Sequence, residues 1–168
     1  MYQRILVAVG EEEAINDKVL GEAIAIAAPS EGTLNLLHVL LPPESGYPNP
    51  MNMTADGMHS AVNIDAFQMY IGQWQVAQKA NQQALDTQAN QLQQEHSVTT
   101  EWTQAVGDPG RQICQIAKDW QADLILIGRH NRSGISELWL GSVSSYVMHH
   151  AGCSVIVVQA PPHLVANS

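Results

Sequence analysis

The stretch IGRHNRSGISELWLGSVSSYVMHHAGCSVIVV, residues 127–158, decides the fold. It opens on the end of an apolar run, crosses a loop bounded by Gly128 and Gly141, continues into a short helix from about Ser142 and closes on the uninterrupted run VIVV. Strand, loop, helix and strand in that order make a crossover unit, the building block of a parallel sheet.

Working outward, the same alternation fills the chain. Apolar runs occur as QRILVAV from Gln3, TLNLLHVL from Thr33, TTEWTQAV from Thr99, DLILIG from Asp123 and SVIVVQ from Ser154. ILVAV, LILI and VIVV are continuous, as strands covered on both faces are, so these three are expected to be central or paired on both sides. Between them lie helical patterns. Ile15, Val19, Ala23, Ile26 and Ala27 mark the first, and Ile113, Ile116, Ala117 and Trp120 mark the third, with Asp108 as N-cap and Pro109 at the first helical position. A longer second helix is predicted over 65–95, with Tyr70, Trp74, Ala77, Ala84, Leu85 and Leu92 on its packed side, interrupted by Asn81 and Gln88. Its many glutamines read as a solvated outer face in preference to a glutamine-mediated assembly.

The composition bounds what such a domain does. A chain of 168 residues, 45% apolar, suits one domain that buries about 70% of its unfolded surface. We expect that domain over 1–160, with a tail at 161–168. Cys114 and Cys153 make no disulfide framework, and MYQRILVAVGEEE has no signal-peptide pattern, so a cytoplasmic location is expected. Sixteen acidic against seven basic residues argue against nonspecific binding to nucleic acid or anionic lipid. No apolar run approaches the roughly 18 residues of a membrane span. A small ligand or another protein is the expected partner.

The segment 41–63, rich in Pro, Gly and Met, exceeds the usual connection length. It leaves the C-terminal end of strand two, where parallel sheets bind ligands, and reads equally as a lid or a surface insertion. The loop from Gly128 to Gly141 leaves the same edge. Free amides at the start of the next helix favour an anion, and Gly141 lets a phosphate approach the backbone. Ser142 and Ser144 offer hydroxyls, and Arg129 and Arg132 are two of the chain's seven basic residues. The plainer reading is a strand-to-helix connection with Ser142 as N-cap.

Other constellations fall away. There is no GxxxxGK[ST], no complete GxGxxG and no GxSxG elbow. His149, His150 and Cys153 read as residues at a helix end and not as a metal site. His38 reads as a hydrogen-bonded core residue, and Asp56 with His59 is a weaker signal still. No nucleophile, base and orienter stand at interpretable spacing.

Taken in order, ILVAV, LLHVL, VGDPGRQICQIA, DLILIGRH and GSVSSYVMHHAGCSVIVV resemble a universal stress protein, over nearly the whole chain except 41–63. The resemblance implies a Rossmann-type α/β fold: a five-stranded parallel sheet ordered 3-2-1-4-5 with helices on both faces. It implies a two-fold homodimer through strand five, residues Ser154, Val155, Ile156, Val157 and Val158. In one branch of the family it implies ATP over the strand C-termini; the other branch binds none. The nucleotide-binding branch resembles G-x-x-G, nine residues, then G-S/T. Here Gly128 supplies the first position, Arg132 to Leu140 the nine, and Gly141 with Ser142 the close, while Asn131 replaces the second glycine. Asn tolerates positive φ better than most residues, at a cost of about 1 kcal/mol or more. A second departure is Gly10, followed by Glu11, Glu12 and Glu13, where ATP-binding members usually carry an aspartate toward the nucleoside.

The residues so assigned to a nucleotide are Ala8, Val9, Gly10, Val39 through its main chain, Ile127, Gly128, Arg129, Asn131, Arg132, Gly141, Ser142, Val143 and Ser144. Two function classes follow. One is a stress-response regulator whose bound ATP, or another adenine nucleotide, with or without magnesium, signals to a protein partner. The other is a dimeric interaction protein whose loop is empty or holds another anion.

Overall fold

The computed structural model describes residues 1–43, 60–129 and 141–159; of residues 60–65 only the backbone is described. The first crossover runs from β1 (Arg4–Val9) through α1 (Glu13–Ala27) and one 3-10 turn (Ala28–Ser30) to β2 (Thr33–Leu40). The chain continues with α2 (Ser60–His96), β3 (Thr99–Val106), α3 (Pro109–Asp119), β4 (Leu124–Arg129), α4 (Ser142–His150) and β5 (Ser154–Gln159). All strand pairs are parallel, in the order β3-β2-β1-β4-β5. The expected sheet is therefore present, with β1 and β4 central. β5, which the apolar pattern placed centrally or between two partners, is an edge in the single chain, and Ile156 on it is 36% exposed.

Alternation along the strands builds two cores. Ile5, Val7, Leu34, Leu36, Leu124 and Leu126 face α1 and α2, meeting Ile15, Val19, Leu85, Ala89 and Leu92. Leu6, Leu37, Ile125 and Ile127 face the other way, meeting Ile113 and Ala117 of α3 and Val147 of α4. Asp108 caps α3 as expected, its Oδ1 accepting from the Arg111 amide at 3.0 Å, with Pro109 as the first helical residue.

α2 departs from the sequence reading in two ways. It begins at Ser60, inside the segment expected to be loop to residue 63; residues 44–59 of that segment lie outside the described residues. Its packed stripe is also rotated. Ala77 and Ala84 are exposed, whereas Asn81 and Gln88, read as interruptions, are half-buried beside Leu85, Ala89 and Leu92. Three hydrogen bonds descend along α2 and fix it to the sheet. Trp74 Nε1 donates to the Leu41 carbonyl at 3.1 Å, Gln104 Nε2 to the Gln78 carbonyl at 3.2 Å, and Trp102 Nε1 to Asp86 Oδ1 at 3.0 Å. Among the described residues no helix is long and apolar enough to cross a membrane.

Candidate functional site

Strand order reverses at β1, with β2 on one side and β4 on the other. The helix after β1 packs on one face of the sheet and the helix after β4 on the opposite face. The C-terminal ends of β1 and β4 therefore lie at a topological switch point, the usual ligand position in such sheets.

The assigned residues divide between two faces. Ala8 and Ile127 are register partners, and together with Val39 and Val143 they pack into the core under α3 and α4. They form an apolar floor on that face of the sheet. Val9 belongs to the opposite core, with Ile15 and Val19. Gly128 faces that way too: an added Cβ would stand 2.2 Å from Ile15 Cγ2 and 3.2 Å from Val19 Cγ2. Close packing of α1 on β4 thus accounts for a glycine that the sequence reading gave to phosphate. Arg129 ends β4, half-buried. Asn131 and Arg132 lie outside the described residues.

Gly141 is different. It precedes Ser142 as N-cap with φ −57° and ψ 155°, a conformation open to any residue, and offers no side chain to cap the helix. Among the described residues an added Cβ would meet only Ser144 Oγ, at 3.6 Å. Among the described residues, neither backbone strain nor packing requires glycine here. Ser142 is exposed and is the first helical residue, so it is not the N-cap. Ser144 is 3% exposed and its hydroxyl donates to the Gly141 carbonyl at 3.0 Å. Ser142 is thus open to solvent, and the Ser144 proton is already engaged.

At the end of β1 the decisive residue is Asn16, which sequence reasoning passed over. Its Oδ1 accepts from the Gly10 amide at 2.9 Å and its Nδ2 donates to the Gly10 carbonyl at 2.8 Å, so one amide side chain closes the loop. The available signal was an Asn in the first turn of the helix, six residues after a strand-ending glycine. Gly10 is exposed, with none of the described residues within 4 Å of an added Cβ. Glu11 and Glu13 are exposed and Glu12 is half-buried.

His38 pairs in register with Val9 on one side and Gln104 on the other. Burial holds its imidazole below the ordinary value, with the carboxylate of Glu11 pulling it back up. Its Nδ1 and the neighbouring Gln104 Oε1 are buried without a hydrogen-bond partner among the described residues, so at this atom the expected core hydrogen bond is missing. His150 stacks on Tyr146 with ring centroids 4.0 Å apart, and its Nδ1 donates to the Tyr146 carbonyl at 2.8 Å, as suits a histidine at a helix end. Among the described residues no three His, Cys, Asp or Glu gather as metal ligands.

The reversal of strand order and the helices on opposite faces of the sheet define a doubly wound α/β domain. The chain belongs to the universal stress protein family, whose family model matches residues 1–159. It is 35% identical over 164 residues to universal stress protein Sll1388 of Synechocystis sp., covering 94% of this chain and 98% of that one. Among solved structures it is similar to a universal stress protein family protein from Arabidopsis thaliana with AMP bound. That likeness has a TM-score of 0.62 and 19% identity, over 99% of this chain and 97% of the other. It is similar also to a universal stress protein in complex with cAMP, with a TM-score of 0.59 and 20% identity, over 95% and 98% of the two chains.

Proposed function

We propose that this chain is an adenine-nucleotide-binding universal stress protein, a dimeric cytoplasmic regulator that signals to a protein partner through nucleotide occupancy. Gly141 carries the proposal: a glycine unexplained by its own φ or by its described neighbours, at the start of the helix that follows β4. Helix-terminal amides favour a phosphate, and the missing Cβ leaves room for it against the backbone. The apolar floor of Ala8, Val39, Ile127 and Val143 suits a base or ribose beside that anion. The AMP and cAMP complexes of the two structural neighbours support the choice of ligand class. The ligand is ATP or another adenine nucleotide, as such or with magnesium, and the dimer forms through β5.

Identifying the nucleotide that copurifies, followed by titration calorimetry, tests the site. Gly141→Val is expected to abolish binding. Asn131→Gly and Gly10→Asp are each expected to tighten it, the first by restoring the second glycine of the G-x-x-G pattern and the second by adding a hydrogen bond toward the nucleoside. A parent that binds no adenine nucleotide at millimolar concentration, with binding created by the double change, would instead establish a dimeric scaffold whose site has decayed. The second reading has its own observation: Asn16 already engages both backbone groups of Gly10, leaving fewer groups there for a nucleoside.

A further inference from the structure

α2 has 37 residues, a length of about 55 Å. Its anchor at Trp74 lies level with Leu41, just beyond the end of β2, so the 14 residues from Ser60 to Gln73 continue for about 20 Å past the C-terminal edge of the sheet. The stripe through Trp74, Leu85 and Leu92 faces the sheet. On the far side, roughly 130–150° round the helix at 100° per residue, runs a second stripe: Met69, Gln73, Val76, Ala80, Gln83 and Thr87. All six are exposed, Met69 to 68% and Val76 to 69%. Their spacing alternates four and three, the repeat of a two-helix seam. Gly72, Ala77 and Ala84 flank it, small enough for a close approach.

The charge pattern selects the occupant. Residues 69–87 contain two charged side chains, Lys79 and Asp86, the second held toward the sheet by Trp102, in a molecule of net charge −9. A solvated helix face ordinarily carries charge, and a face built for a basic or acidic partner would carry the opposite sign. Two copies of a strongly acidic chain approach with least repulsion along an uncharged surface. The seam is also self-complementary when two copies run antiparallel about the level of Gln78. Val76 then meets Ala80 of the second copy, Gln73 meets Gln83, and Met69 meets Thr87. The large apolar group faces a small one, and the two amides can exchange hydrogen bonds.

We propose that α2 pairs antiparallel with α2 of a second copy of this chain through the Met69–Thr87 seam, a contact separate from β5. This reverses the sequence-based preference for a merely solvated glutamine face. A seam of 19 residues, about 27 Å from end to end, is small for a specific interface, so the pair forms reversibly. Because like-charged copies are brought together, with Lys79 beside its own counterpart, moderate salt strengthens it.

The test uses full-length chains carrying Gln73→Cys or Gln83→Cys, oxidised separately and mixed, with every disulfide mapped by mass spectrometry so that links through Cys114 or Cys153 are set aside. A 73–83 link that forms in the mixture and in neither sample alone is expected. Efficient self-linking of Gln73→Cys would mean a parallel pair and overturn the register. Absence of any 73–83 link in concentrated samples would overturn the contact itself. In sedimentation, Val76→Lys is expected to weaken association by about tenfold or more while circular dichroism stays unchanged. An unaltered association curve for this variant would also overturn the proposal.

Discussion

A methyl group added at Gly128 would stand 2.2 Å from Ile15 Cγ2, a contact that forces α1 and β4 apart or one side chain out of its rotamer. Gly128→Ala is therefore expected to cost about 1–3 kcal/mol. Ile15→Ala, which removes the opposing methyl, should cost about 2–5 kcal/mol alone. The double variant should be less destabilised than the sum, because the new methyl occupies the space vacated. Urea denaturation of the three variants checks this, and strictly additive costs would contradict the steric account. His38 makes a second prediction at this scale. Its folded pKa lies below the ordinary value of 6.5 because burial disfavours the charged ring. The unfolded chain then binds the proton first, so stability is full above pH 6.5 and falls as pH drops through the window below it. Unfolding free energy should be lower at pH 5.5 than at pH 7.5, and His38→Asn should reduce that difference; an equal difference in both proteins would assign the effect elsewhere. Neither behaviour was legible in the sequence. The spacing that places Gly128 in a glycine motif says nothing of the helix behind it, and His38 acquires its environment only when β2 and β3 pair.

Helices differ in how openly they announce themselves. α3 was legible to the residue because its start is local chemistry: an aspartate that accepts an amide hydrogen bond, followed by a proline with no amide to lose. Asp108→Ala should lower stability by about 1 kcal/mol, read as a fall in melting temperature, while Asp108→Asn should lose less. The start of α2 was missed because a run of Pro, Gly and Met reads as loop, although the helix sets in at Ser60. The direction of its packed stripe was missed for a different reason. Alanines at 77 and 84 look apolar but do not declare a face, and the half-buried Asn81 and Gln88 look like interruptions. Strand ends are fixed by partners distant in sequence. Asp123, just before β4, accepts from the Gln3 amide at 2.7 Å and the Arg4 amide at 3.1 Å, so it anchors the start of β1 from 120 residues away. Removing it as Asp123→Ala is expected to cost about 1–3 kcal/mol, since two backbone donors lose a charged acceptor.

At the scale of the whole molecule, the sheet order was legible through resemblance, and with it the place of β5 at the sheet edge. β5 is as apolar as the central strands, yet the single chain leaves one side of it unpaired, with Ile156 36% exposed. An edge of this kind is a template for pairing. Antiparallel pairing with a second β5 would cover it, and Ile156→Lys should then shift micromolar protein from dimer to monomer in sedimentation. Val158 is only 6% exposed, so lysine there disturbs the fold as well and Ile156 is the cleaner probe. A monomeric parent would remove the β5 dimer. The ring of bonds between Asn16 and Gly10 bears on how such states could be watched. Because the side chain of Asn16 holds the loop by the main chain of residue 10, and none of the described residues crowds the missing Cβ, the loop does not depend on which residue stands there. Burial raises the thiols of both native cysteines, so at neutral pH a cysteine installed at position 10 would react ahead of them. A fluorophore attached there would stand at the C-terminal end of β1 on an undisturbed scaffold, where binding at the proposed nucleotide site would be read as an optical signal.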